Sequence, residues 1–274
     1  MRAASALQSA PPTIITANGI KVAYRLEGPE GAPVVLFSNS LATNMEMWND
    51  QVAALAGSYR LLRYDTRGHG NSGAGEGAYS IDLLSNDVIA LLDALEIKRC
   101  AFVALSLGGM IAQFTAAHHP QRFSALVLCD TALRINGEVW GERIRSVQAH
   151  GVEPQVGPSL GRWFTAPFRD RHPEMMEQVR RIILTTSPQG YCNSAAAMRV
   201  ADLEHITPKI KAPTLVICGA DDPSTPPSAS AAIHAAIPGS RYELIESAAH
   251  LPNMEQPVAF NRLLKGFLAE HART

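Results

Sequence analysis

The sequence predicts an α/β fold: a mostly parallel, eight-stranded sheet with helices on both faces. Three observations carry this. Short apolar runs recur along the 274 residues, and the central ones are apolar at nearly every position, as strands covered on both faces are. Between them lie segments whose apolar residues step by three and four, the helical period. Strands that alternate with helices pair in parallel through crossover connections. With 46% hydrophobic and 18% charged residues, the chain has ample material for a large core.

The strands read TIIT (13–16), VAYRLE (22–27), VVLFS (34–38), YRLLRY (59–64), CAFVAL (100–105), ALVLCD (125–130), TLVICG (214–219) and YELIE (242–246). Asn18-Gly19 joins the first two as a hairpin. Ser80 is placed to cap a helix whose face is Leu84, Val88, Leu91 and Leu95. Phe260, Leu264 and Phe267 give the last helix its face, just after Pro257. Between about Leu133 and Pro208 the alternation stops. That stretch carries helical patches and turn signals (Gly151, Pro154, Gly157-Pro158, Pro167, Pro188), too long for a plain loop. It reads as a helical cap inserted after the sixth strand, dividing the chain into core (1–132), cap (133–208) and core (209–274). Such a cap lies over the carboxyl ends of the strands, where ligands bind.

Several function classes drop out on composition. The balance of 24 basic and 25 acidic residues, net −1 with pI near 6.8, excludes a nucleic-acid partner. Four cysteines are too few for a disulfide scaffold, and Cys100, Cys129 and Cys218 sit in or beside apolar runs as small buried hydrophobes. The opening MRAASALQSAPP has no apolar core of a secretory leader. The uncharged stretch from Cys100 to Gln121 holds Ser106, Gly108-Gly109, Gln113 and His118-His119, and makes a poor membrane span. A cytoplasmic protein without membrane partners is expected. No histidine pair has metal spacing with a third ligand nearby, and no glycine loop cradles a phosphate, so neither metal nor cofactor is expected. Asp65 to Gly70 reads as a structural turn, with His69 and His118-His119 at solvated or capping positions.

A nucleophile is the first chemical feature to seek. The pattern G-x-S-x-G marks a strained strand-to-helix elbow that exposes a serine. Its literal match, Gly157 to Gly161 around Ser159, follows no strand and reads as loop. The relaxed match Ala104-Leu105-Ser106-Leu107-Gly108 has the right context, with CAFVAL leading in and LGGMIAQFTAAHH leading out as a helix. The elbow crowds strand against helix, and Ala104 and Gly108-Gly109 supply the small neighbours it needs. A serine needs a base and the base an orienting carboxylate, in the chain order Ser, Asp or Glu, His. Gly219-Ala220-Asp221-Asp222 follows one strand and Ser247-Ala248-Ala249-His250 the next, both on the sheet edge that carries Ser106. Asp221 competes with its neighbour Asp222, and Asp130, which ends another core strand, is a third candidate.

With these motifs in place, residues 20–270 resemble the α/β-hydrolase family. D-T-R-G-H-G-N-S (65–72) is similar to the loop after that fold's fourth strand, G-A-D-D-P-S-T-P (219–226) to its acid loop and H-L-P-N-M-E-Q-P (250–257) to its histidine loop. The resemblance makes Asp222 the acid. Within the family the chain looks like the 3-oxoadipate enol-lactonases of bacterial aromatic degradation. S-N-S-L-A-T-N-M-E-M-W (38–48), L-R-Y-D-T-R-G-H-G (62–70), L-S-L-G-G-M-I-A-Q (105–113) and R-W-F-T-A-P-F-R-D-R-H-P (162–173) carry that likeness. Ala42 stands where the family often has glycine, and Ala104 replaces the first glycine of the elbow.

The resemblance implies a cofactor-free serine hydrolase with Ser106 as nucleophile, His250 as base and Asp222 holding the imidazole. It implies an oxyanion hole from the amides of Leu41 and Leu107. It further implies a small-molecule anionic lactone or ester as substrate, met by Arg134 first and Arg162 second, between Trp140 and Trp163. A carboxylesterase or perhydrolase-like relative is the alternative, and a ligand receptor on the same fold a third. A monomer or small homo-oligomer is expected.

Overall fold

The computed structural model describes residues 11–135 and 137–272; the reading of residues 1–10 as no leader falls outside them. Eight strands form one sheet: β1 (Thr13–Ala17), β2 (Ile20–Glu27), β3 (Val34–Ser38), β4 (Arg60–Tyr64), β5 (Cys100–Leu105), β6 (Phe123–Cys129), β7 (Thr214–Gly219) and β8 (Arg241–Ile245). Their spatial order is β1-β2-β4-β3-β5-β6-β7-β8. Asn18 at φ 45 and Gly19 at φ 76 supply the two left-handed residues that a tight hairpin turn needs between β1 and β2. β2 runs antiparallel to β4, and every later pairing is parallel. β5 and β6 are buried at every residue, the burial that their apolar runs foretell.

The helices are α1 (Asn49–Leu55), α2 (Ile81–Ala94), α3 (Leu107–His118), α4 (Gly137–His150), α5 (Val156–Trp163), α6 (Ala166–Arg171), α7 (Pro173–Leu184), α8 (Pro188–Val200), α9 (Pro227–Ala236), α10 (Pro252–Glu255) and α11 (Pro257–His271). Ser80 caps α2 by accepting from the Leu83 amide, and Leu84, Val88 and Leu91 face inward. α3 packs on β5 and β6, α11 on β6, and α9 on β7 and β8. None of the helices among the described residues is long and apolar enough to cross a membrane.

Between β6 and β7 run α4 to α8, with no strand among the described residues there. Three expectations are corrected in this part of the chain and beside it. Ser159 lies inside α5 and is buried, not in a loop. Pro167 and Pro188, which read as turn signals, occupy first turns of helices, where the missing N–H costs nothing. His69 is fully buried rather than solvated, its Nδ1 against the Arg67 carbonyl at 3.0 Å.

The insert is fastened to the core at two places. Gly68, in the loop after β4, meets Gly190 of α8 backbone to backbone; a β-carbon on Gly190 would sit 2.3 Å from the Gly68 oxygen. That oxygen accepts from the amide and the hydroxyl of Ser187, which caps α8. At the second place the buried Glu255 accepts from the Thr165 amide (3.0 Å) and hydroxyl (2.5 Å) in the insert and from the Ala249 amide (2.8 Å) in the core.

Candidate active site

The strand order reverses between β3 and β5: the chain goes from β3 to β4 on one side and then to β5 on the other. Ligands of open α/β sheets bind at such a switch point, beyond the carboxyl ends of the strands. Ser106 follows β5 there, at φ 56 and ψ −114, a conformation rare for a side-chain-bearing residue and costing about 1–3 kcal/mol. Its surroundings hold it. The Ser106 amide donates to the Cys129 carbonyl, and its carbonyl accepts from the Met110 amide and the Thr131 hydroxyl. The demand for small neighbours is steric: a β-carbon on Gly108 would lie 2.5 Å from the Ser38 oxygen, and one on Gly109 2.6 Å from the Thr131 side chain. Ala104 pairs with Ser38 on one side and Leu128 on the other, fully buried.

Leu107 opens α3, so its amide is one of the helix's N–H groups without an intrahelical acceptor. Facing it is the turn Ser40–Thr43, closed by the Thr43 amide donating to the Ser40 carbonyl. Ala42 is the third residue of that turn, at φ 60, a left-handed conformation that glycine adopts without strain. The Gly108 amide donates to the Asn39 carbonyl, and Asn39 is itself held by the Trp48 indole and the Tyr64 carbonyl. Leu41, Ser106 and His250 line one pocket, and Leu107, next to Ser106 in the chain, is buried.

His250 follows β8 and presents Nδ1 to Asp222 Oδ2 at 2.8 Å, both side chains buried. Asp222 also accepts from the Ser224 amide at 2.7 Å and the Thr225 hydroxyl at 2.6 Å. Burial pushes the Asp222 carboxyl up, but the His250 charge and these hydrogen bonds outweigh it and hold the group below the usual carboxylate range. With Nδ1–H committed to Asp222, the other ring nitrogen is left as an acceptor. Asp221 is exposed, its amide donating to the Ala248 carbonyl, so geometry separates the two neighbours. Asp130, Asp222 and His250 could between them offer a metal three ligand atoms within 4.8 Å of one another. The Asp222 oxygens already face N–H and O–H donors, an arrangement suited to holding a histidine.

The pocket, about 490 Å³ out to its open mouth, is completed by the insert. Trp140, Trp163 and Arg162 line it, where the sequence places them. Arg134 does not: it lies half-exposed on an adjoining groove, ion-paired to Asp202 and to Glu204. In its stead Arg143 reaches the pocket from α4, its guanidinium 4.5 Å from the centre of the Trp140 ring. Sequence reasoning missed Arg143, Tyr191 and Ser159. The i, i+3 spacing of Trp140 and Arg143, which puts them on one helix face, was the available signal. Arg162 bonds the Ser159 hydroxyl at 3.4 Å, and neither Arg143 nor Arg162 has an ion-pair partner among the described residues. Burial and then the Arg143 charge lower the Arg162 value, so two like charges share the pocket.

Residues 33–257 match the model of the alpha/beta hydrolase fold family. The 3-oxoadipate enol-lactonase 2 of Acinetobacter baylyi is 37% identical over 255 residues, 93% of this chain and 95% of that protein. The crystal structure of the enol-lactonase from Burkholderia xenovorans superposes with a TM-score of 0.92 at 39% identity, covering 94% of this chain and 100% of that one. A thermophilic esterase from Thermogutta terrifontis, solved with malate bound, superposes at 0.88 with 28% identity, covering 96% and 100%. This chain belongs to the α/β-hydrolase fold family, with 3-oxoadipate enol-lactonases among its relatives.

Proposed function

We propose that the chain is a serine hydrolase that opens the lactone ring of 3-oxoadipate enol-lactone. The observation that carries this reading is the union, in one pocket, of an elbow serine, a histidine bonded to a carboxylate, and two arginines without an ion-pair partner among the described residues. Ser106 Oγ attacks the lactone carbonyl while His250 takes its proton, and Asp222 stabilises the imidazolium. The amides of Leu41 and Leu107 receive the developing oxyanion; losing one such donor typically costs about 3–4 kcal/mol. His250 then returns the proton to the leaving enolate, and the enol relaxes to a ketone, which draws ring opening forward. Water activated by His250 releases the product acid from Ser106. The substrate's free carboxylate would lie against Arg143 and Arg162, between the rings of Trp140 and Trp163. Relatives named as enol-lactonases at 34–37% identity support the substrate.

The test is turnover of the lactone, followed by loss of its ultraviolet absorbance, for wild type and Ser106→Ala. Rapid loss that vanishes in the variant is expected. If the lactone is ignored while a short neutral aryl ester is cleaved by wild type alone, the nucleophile stands and the chain is an esterase for another substrate.

A further inference from the structure

Asp130 has no part in the steps above, yet it is built into the same place. It follows β6 at φ 41, fully buried. Its Oδ1 accepts from the Gly219 amide at 2.8 Å, while Oδ2 is buried without a hydrogen-bonding partner among the described residues. One oxygen of Asp130, one of Asp222 and a ring nitrogen of His250 lie within 4.8 Å of one another. The other titratable groups facing Asp130 are the thiols of Cys129 and Cys218 and the phenol of Tyr242.

Two carboxylates this close in a dry interior cannot both be charged. Asp222 takes the charge, because three donors, the Ser224 amide, the Thr225 hydroxyl and the imidazole, stabilise it there. Asp130 has one amide donor, and burial followed by the Asp222 charge pushes it well above the ordinary carboxylate range. A proton on Asp130 then belongs on Oδ2, the oxygen that lacks a donor, and the neighbouring anion is Asp222. A buried orphan oxygen becomes a donor facing an acceptor.

We propose that Asp130 is a neutral carboxylic acid hydrogen-bonded to the Asp222 carboxylate, a positioning residue that becomes the orienting carboxylate of His250 when Asp222 is removed. The inference rests on the assignment of Ser106, His250 and Asp222 to the reaction, and not on the identity of the lactone. Removing Asp222 leaves the larger cause, burial, in place but takes away the second, the neighbouring negative charge, and with it the side chain that stands beside Asp130 and His250.

The experiment has a spectroscopic arm and a kinetic arm. In wild type near neutral pH, the infrared carbonyl stretch of a buried protonated carboxylic acid should be present, and it should vanish in Asp130→Asn. Cleavage of a neutral aryl ester is then compared in Asp222→Ala and in Asp222→Ala with Asp130→Asn, across pH. The single variant should lose up to about 10⁴-fold, the typical effect of removing a triad acid. It should remain at least ~10-fold above the double variant, a margin of about 1.4 kcal/mol, with a residual rate that rises with pH only while Asp130 is present. Absence of the infrared band, or equal rates in the single and double variants at every pH, overturns the proposal. Should Asp222→Ala fail to fold, the infrared arm alone decides. Residual activity that survives Ser106→Ala would instead refute the nucleophile assignment, which keeps the two failures apart.

Discussion

Arg143 and Arg162 are the residues through which substrate charge is expected to act. Each is held near the other with no ion-pair partner among the described residues, so an incoming carboxylate finds donors whose charge is not already spent. Hydrogen bonds to charged groups contribute about 1.5–3 kcal/mol. Replacing either arginine by leucine should therefore lower kcat/KM for the lactone by roughly 10- to 150-fold, chiefly through KM. Cleavage of a neutral aryl ester should change little, and equal losses on both substrates would remove the arginines from carboxylate recognition. At this scale the sequence tells unequally. Ser106 and His250 stand out because each lies beyond a strand in a fixed chain order, whereas the residues alone leave Asp221 and Asp130 beside Asp222, which the family resemblance singles out. Arg143 is not, because an arginine on an amphipathic helix reads as a solvated one until the facing surface is known. Arg134 is the converse: it stands at the right point of the chain, but Asp202 and Glu204 take its charge.

Elements were most legible where both faces are covered. The runs CAFVAL and TLVICG coincide with β5 and β7 because no residue of either strand meets water, so neither interrupts its apolar pattern. The insert was harder, since its prolines start helices as readily as they punctuate loops. Its seating depends on the Gly68–Gly190 crossing, which leaves no room for a methyl group. Gly190→Ala should push α8 outward at a cost of about 1–3 kcal/mol, as overpacking does. It should also raise KM, because Tyr191 and Met198 of α8 line the pocket. Gly157→Ala is the comparison: its β-carbon meets nothing within 4 Å, and it sits in α5. That change should be neutral or slightly stabilising. Thermal midpoints and KM for the two variants check both statements.

For the molecule as a whole, acid sensitivity has an identifiable source away from the pocket. Burial lowers His69 from 6.5 to about 4. Between those values the unfolded chain binds a proton that the folded chain refuses, so the His69 contribution is complete above about pH 6.5 and is lost as pH falls towards 4. From pH 7 to pH 5 that amounts to about 2 kcal/mol. Urea midpoints at the two pH values should show this decline in wild type and a shallower one in His69→Phe; parallel declines would clear His69. The fastening of the insert has a different consequence. Gly68 and Glu255 hold the insert from two separate parts of the core, one through Ser187 and the other through Thr165. Tyr191 and Trp163, which line the pocket, each stand within two residues of an anchor, Gly190 or Thr165, so a change at either fastening should be felt by whatever the pocket holds.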